Sequence, residues 1–93
     1  SAPVAEAMAS GVRDRLDTDW GISITGVAGP SGGSDAKPVG LVYIGVASAG
    51  GVMSEKHLFG SERTRDQIRE VSALSALNLL RKQILSGDES EGA

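Results

Sequence analysis

Residues 39–47, Val-Gly-Leu-Val-Tyr-Ile-Gly-Val-Ala, are nearly continuously apolar and contain no charged side chain. A short run of this kind predicts a β-strand that is covered on both faces. Such strands occur in layered α/β proteins, in which helices pack on each side of a sheet. This segment therefore predicts a three-layer α/β/α sandwich, here an incomplete half with about three strands and two main helices.

The neighbouring segments predict the other two strands and the first helix. Residues 20–25 alternate weakly and predict a strand, while residues 52–59 predict a more polar strand that pairs back as a hairpin. A helix is predicted over residues 1–16, with Ser1 as its N-terminal cap. Gly11 inside this helix indicates close packing. One apolar stripe recurs every four residues along it, at Val4, Met8, Val12 and Leu16.

The second helix is predicted to begin after Thr64, because Thr64 and Gln67 have the spacing of a capping box. Its apolar face is broad, so we expect it to be well buried. Gly87 predicts its end, and the acidic residues 87–93 predict a disordered tail. Residues 1–86 would then form the folded part. The apolar positions of the helix are Ile68, Val71, Ala73, Leu74, Ala76, Leu77, Leu79, Leu80, Ile84 and Leu85.

Composition excludes several classes of protein. The net charge of −3 does not suggest a nucleic-acid-binding protein. With no cysteine, the chain has no disulfide framework, no thiolate zinc site and no thiol nucleophile. Its apolar runs are shorter than the roughly 20 residues of a membrane-spanning helix. We expect a cytoplasmic protein with no membrane partner, whose core, at 3% aromatic residues, is marginal on its own.

The glycine-rich segment 26–38 is the strongest functional signal. It leaves the carboxyl end of a predicted strand, where open α/β sheets bind ligands. Successive N–H groups in such a loop can hold a phosphate or a carboxylate, and Thr25, Ser31 and Ser34 add hydroxyl groups. The segment has neither the Walker A spacing nor the dinucleotide-binding spacing. From the residues alone, a ligand loop and a plain connection both remain open.

Other polar residues are weaker candidates. His57 is the single histidine, and we expect a surface residue rather than a general base. The acidic cluster at Asp14, Asp17 and Asp19 is typical of a solvated helix end rather than a metal site. Lys37 could reach an anion held by the loop or could simply be solvated. Either an anion or nearby carboxylates would explain three arginines at the start of the second helix: Arg63, Arg65 and Arg69.

Two motifs together resemble a known family. The stretch Ser-Ile-Thr-Gly-Val-Ala-Gly-Pro-Ser-Gly-Gly-Ser, followed by Lys-Pro-Val-Gly-Leu-Val-Tyr-Ile, is similar to the CinA C-terminal domain and PncC nicotinamide-nucleotide amidohydrolase family. The resemblance covers roughly residues 1–85 and only the second half of that domain. It implies an α/β/α sandwich that hydrolyses the carboxamide of nicotinamide mononucleotide, giving nicotinate mononucleotide and ammonia, without a cofactor or a metal.

The resemblance also limits what these residues can do. The family's proposed catalytic Ser, Tyr and Lys lie in segments with no match here, so no catalytic residue is assigned. The expected partners are the nucleotide substrate, the other half of the domain and, as a homo-oligomer, further copies. The alternatives are a non-catalytic nucleotide-binding module and a proteolytic fragment that dimerises through exposed strand edges and buries residues 39–47. The expected substrate-binding residues are Thr25, Gly26, Ala28, Gly29, Gly32, Gly33, Ser34 and Lys37.

Overall fold

A computed structural model describes residues 1–26, 40–60 and 62–92, without the side chains of 88–92. The element order is α1 (Ala2–Leu16), β1 (Gly21–Gly26), β2 (Leu41–Ser48), β3 (Gly51–Leu58) and α2 (Arg65–Gly92). Both strand pairs are antiparallel, and the sheet order is β1-β2-β3. The predicted order of helices and strands is therefore confirmed.

The sheet lies between the two helices. On one face, Val42, Ile44 and Val46 of β2 form a core with three residues of α2, namely Ile68, Ala76 and Leu79. On the other face, α1 lies across the sheet. The central strand is thus covered on both sides, as its uncharged sequence predicts. Among the described residues β2 has a strand on each side, so a fragment that dimerised through exposed strand edges would have to use β1 or β3.

Small residues bring α1 onto the sheet. Ala5 and Ala9 are fully buried, and a Cβ at Gly45 would lie 2.4 Å from the Ala5 carbonyl oxygen. The buried Ser23 hydroxyl donates a hydrogen bond to that same oxygen. A Cβ at Gly21 would likewise lie 2.2 Å from the Ala9 carbonyl oxygen. The glycines of the sheet, rather than one in the helix, therefore permit the close approach.

Two expectations for α1 were wrong. The predicted apolar stripe meets the sheet only at Val12, whose side chain lies beside Gly21, since Val4 is 51% and Met8 is 48% exposed. Leucine and valine side chains would hold the helix farther from the strands than alanine does. A Cβ at Gly11 would meet no atom of a neighbouring described residue within 4 Å, so this glycine does not mark close packing. The Ser1 cap is confirmed by a hydrogen bond from the Val4 amide, 3.3 Å long.

The start of α2 matches its prediction, but its packing and its end do not. The capping box is present, with the Thr64 amide 2.9 Å from Gln67 Oε1 and the Gln67 amide 3.2 Å from Thr64 Oγ1. Only one stripe of the helix is buried, because a single sheet face covers it. Gly87 stays helical, and the acidic residues beyond it continue the helix to Gly92. The exposed large apolar residues of the helix are Leu74, Leu77, Ile84 and Leu85.

Within the described ranges, neither helix is long and apolar enough to cross a membrane.

Candidate functional site

The glycine-rich segment leaves and rejoins the sheet at one end. Gly26 pairs with Val42 across β1 and β2, so the two ends of the loop lie side by side. A Cβ at Gly26 would lie 2.3 Å from the Leu41 carbonyl oxygen, and one at Gly40 would lie 2.9 Å from two backbone atoms of Gly60. Gly40 also has a φ of 82°, which disfavours other residues. The backbone packing at the base of the loop therefore leaves no room for a side chain at Gly26 or Gly40.

Both helices begin at this end of the sheet. In α1, Ala5 lies over Gly45 and Ala9 lies over Gly21, so this helix runs away from the loop. In α2, Ile68 lies near Gly26, one turn after the helix begins. Helix N-termini carry partial positive charge. The end of the sheet at which the loop leaves is consequently favourable to an anion.

A cleft of about 290 Å³ opens beside Gly26. Its floor is apolar, and Arg69 is the charged residue among those described that line it. The guanidinium Nη1 of Arg69 is 3.9 Å from Asp66 Oδ1, and both side chains are largely exposed, at 70% and 92%. Exposed ion pairs at this distance contribute little to stability. The pair with Asp66 therefore does not prevent Arg69 from binding an anion. The lining residues are Ile24, Gly26, Val42, Ile68, Arg69 and Ser72.

Ser72 adds a polar group to the wall of this cleft. The residue is 2% exposed, and its Oγ has no hydrogen-bond partner among the described residues. A buried hydroxyl without a partner is unfavourable by about 1–3 kcal/mol. Sequence reasoning missed Ser72, because a serine in an apolar helix face carries no distinctive signal.

The structure describes two of the eight predicted binding residues, Thr25 and Gly26. Gly26 lines the cleft. Thr25 is half-buried at the end of β1, with its side chain on the face that α1 covers. The remaining six lie outside the described residues, so their role stays a prediction. They are Ala28, Gly29, Gly32, Gly33, Ser34 and Lys37.

The three arginines near α2 have different surroundings. Arg63 donates from Nε to the Phe59 carbonyl oxygen over 3.2 Å, and its guanidinium carbon is 5.8 Å from the Phe59 ring centroid. Arg69 makes the long pair with Asp66 described above. Arg65 also has an interaction partner. The sequence suggested either an anion or carboxylates for this group, and Arg69 has both a weak carboxylate partner and an adjoining cleft.

His57 differs from the expected plain surface residue. Its side chain is 27% exposed, and Nε2 lies 2.9 Å from Glu55 Oε1. The ring stacks on Phe59, with centroids 5.3 Å apart and an interplanar angle of 13°. These contacts form because alternate residues of β3 share one face of the sheet. His57 does not line the cleft beside Gly26.

A larger cavity of about 550 Å³ lies at the opposite end of the sheet. It is lined in part by Trp20, Met53 and Gln83, together with Arg13 and Asp19. The helix α1 ends near this cavity, at Leu16, and helix C-termini carry partial negative charge. The cleft beside Gly26 is therefore the better candidate for an anionic ligand. Asp14, Asp17 and Asp19 are exposed as predicted, and no metal-binding cluster of three acidic, histidine or cysteine residues occurs within the described ranges.

Comparison with known proteins gives consistent matches. The model of the CinA C-terminal domain family matches residues 1–84. A CinA-like protein of Microcystis aeruginosa is 60% identical over 86 residues, which cover 91% of this chain and 21% of that protein. A CinA-like protein of Rippkaea orientalis is 59% identical over 83 residues, which cover 88% of this chain and 20% of that protein.

Solved structures show the same fold. The competence/damage-inducible protein of Agrobacterium tumefaciens superposes with a TM-score of 0.82 at 35% identity, over 88% of this chain and 50% of that one. A CinA superfamily protein of Escherichia coli gives a TM-score of 0.80 at 31% identity, over 89% of this chain and 47% of that one. The chain thus spans about half the length of these solved relatives and about a fifth of the curated ones.

Proposed function

Because this chain belongs to the CinA C-terminal domain family, we propose that it is the substrate-holding part of a nicotinamide mononucleotide deamidase. The reaction adds water to the carboxamide carbon and releases ammonia, leaving nicotinate mononucleotide. In a cell this step would return pyridine nucleotide for reuse. The substrate carries a phosphate and a ribose, so the enzyme needs a site for an anion close to the site of chemistry.

The observation that carries the proposal is the anion-favouring cleft at the base of the glycine-rich loop. The first turns of α2 and Arg69 border this cleft, and a helix N-terminus and a guanidinium each favour negative charge. Arg69 suits the phosphate, since a guanidinium binds phosphate oxygens through paired N–H groups. The apolar floor at Ile24, Val42 and Ile68 suits an uncharged portion of the nucleotide.

The glycine-rich loop would serve the same substrate. Its backbone N–H groups are of the kind that hold phosphate, and donors so placed can also stabilise the oxyanion that forms when a carboxamide is attacked. Gly26 and Gly40 anchor the loop at positions where a side chain would collide with backbone. The groups that break the bond would come from the part of the family's domain outside these 93 residues.

The experiment uses a chimera, in which this chain replaces the matching segment of the Microcystis aeruginosa relative. Ammonia release from nicotinamide mononucleotide is followed with a coupled dehydrogenase. We expect turnover from the chimera and none from the isolated chain. In the chimera, Arg69→Gln should raise the KM about tenfold, as expected for loss of one charged contact to the ligand.

Arg81→Gln provides the matched control. Arg81 lies farther along the same helix, is exposed, and contacts Asn78 Oδ1 over 3.0 Å. We expect its KM to equal that of the unmodified chimera. A folded chimera that releases no ammonia would refute the deamidase proposal. If calorimetry then showed mononucleotide binding without turnover, the chain would be a non-catalytic nucleotide-binding module instead.

A further inference from the structure

We propose that Ser72 is a specificity-determining residue of the cleft beside Gly26, and that its hydroxyl binds a ribose hydroxyl of the nucleotide whose phosphate Arg69 holds. The inference rests on the proposed function, since it takes the ligand to be a nucleotide. It adds to that function a residue that recognises the sugar rather than the phosphate.

Ser72 is the polar member of an otherwise apolar stripe of α2. The members of this stripe are buried and recur every three or four positions, as residues on one helix face do. The three apolar members belong to the core that α2 forms with β2. Ser72 therefore brings a polar oxygen to a face whose other buried positions carry none. The stripe consists of Ile68, Ser72, Ala76 and Leu79.

Helix packing does not account for this hydroxyl. A serine within a helix often donates to the carbonyl oxygen four residues earlier, but Ser72 Oγ has no hydrogen-bond partner among the described residues. An alanine would fill nearly the same space, would leave no unpaired buried oxygen and would favour the helix. A side chain that lowers stability in this way is typical of a residue kept for binding rather than for packing.

The position of Ser72 in the cleft differs from that of Arg69. Arg69 is largely exposed, so it lies at the mouth of the cleft. Ser72 is buried and lines the same cleft, so it belongs to the inner wall. Residues three apart on a helix have Cβ atoms about 5–6 Å apart. A ligand that contacts both residues therefore has a negative group close to an uncharged hydrogen-bonding group.

A nucleotide has this arrangement, because its phosphate is attached to a ribose that carries hydroxyl groups. The Ser72 hydroxyl can both donate and accept a hydrogen bond, which suits another hydroxyl. The apolar floor at Ile24, Val42 and Ile68 suits the C–H face of the sugar. At about 290 Å³, the cleft is at the lower limit of the roughly 300–1,000 Å³ of ligand pockets. It therefore holds this part of the nucleotide and leaves the carboxamide outside.

The test measures nucleotide binding to the chimera by calorimetry. The probes are nicotinate mononucleotide, which has no carboxamide to hydrolyse, and its 2′-deoxy and 3′-deoxy analogues. Ser72→Ala should weaken binding of the mononucleotide about fivefold to tenfold, as expected for loss of one neutral hydrogen bond. It should not weaken binding of the analogue that lacks the bound hydroxyl. An unchanged affinity for the mononucleotide, or an equal loss for all three ligands, would overturn the proposal.

Ser75→Ala is the matched control for these measurements. It makes the same change three residues further along α2, at a half-buried position outside the described lining of the cleft. We expect its affinities for all three ligands to equal those of the unmodified chimera. A loss equal to that of Ser72→Ala would contradict a specific contact at Ser72.

Turnover separates this inference from the deamidase proposal. In an active chimera, Ser72→Ala should raise the KM for nicotinamide mononucleotide about fivefold to tenfold and leave kcat nearly unchanged. Ammonia release with an unchanged KM would overturn the role of Ser72 but not the deamidase proposal. Nucleotide binding that Ser72→Ala weakens, without ammonia release, would refute the deamidase proposal and support the role of Ser72. A folded chimera that binds none of the nucleotides would overturn both.

Thermal unfolding of the isolated chain distinguishes a binding hydroxyl from a structural one. Ser72→Ala should raise the Tm by about 4–8 °C, and by more than Ser75→Ala does, because it removes an unpaired buried oxygen. A lower Tm would show that the Ser72 hydroxyl stabilises the fold. That result would overturn the proposal whether or not the chimera folds.

Discussion

Gly45→Ala is the sharpest test of how α1 packs. Gly45 lies at the middle of β2, directly under the first turns of the helix. An added Cβ would lie 2.4 Å from the Ala5 carbonyl oxygen and 2.7 Å from Ser23 Oγ. Backbone on one side and a buried side chain on the other leave no flexible group to move aside. The helix would have to retreat by roughly 1 Å to reach the 3.4 Å of ordinary contact.

Two losses set the size of the effect. Overpacking of a well-packed interior costs about 1–3 kcal/mol. The retreat also stretches the hydrogen bond from Ser23 to the Ala5 carbonyl oxygen, and a buried bond of this kind contributes about 1 kcal/mol. We therefore expect Gly45→Ala to lower the free energy of unfolding by about 2–4 kcal/mol.

Gly11→Ala is the matched control, since it makes the same change in α1 at a position where a Cβ meets no neighbouring described residue within 4 Å. Alanine is favoured over glycine inside a helix by about 0.5–1 kcal/mol, so this variant should be more stable than the original chain. Urea unfolding followed by far-ultraviolet circular dichroism measures both. An unchanged or higher unfolding midpoint for Gly45→Ala would refute the close packing of α1 on the sheet.

Three further substitutions test local features. Thr64→Ala removes one hydrogen bond of the capping box and should cost about 1 kcal/mol in urea unfolding, while Thr64→Ser should restore most of it. Ser23→Ala should cost about 1 kcal/mol, because it removes the hydrogen bond from Ser23 to the Ala5 carbonyl oxygen. Gly40→Ala forces a β-carbon into a position of φ 82° against Gly60. It should reduce kcat/KM of the chimera, and wild-type kinetics would contradict a functional role for the loop base.

Local chemistry accounts for the predictions that held. Ser1 and the Thr64–Gln67 pair satisfy amides within one turn of their own position, so neighbours in sequence are enough to predict them. The burial of β2 was equally predictable from the sequence, because an uncharged strand has no polar face to expose to water. The place of Gly26 at the start of the loop was also predictable, because the loop follows directly from a recognisable strand, while its role in binding stays a prediction.

The predictions that failed concerned contacts between elements that are far apart in the sequence. Sequence periodicity showed an apolar stripe on α1 but could not show that Ala5 and Ala9 face the sheet, because that choice depends on Gly45 and Gly21 of other elements. The sequence also showed that the apolar surface of α2 is broad. How much of that surface is buried depends on how many other elements pack against the helix.

The amino-acid sequence by itself determined the order of the elements, the helix starts and the layered class of fold, since each follows from interactions among neighbouring residues. Only the tertiary structure decided which flank of each helix faces the sheet and that Arg69 and Ser72 share a cleft with Gly26. Packing distances between elements remote in sequence govern those outcomes.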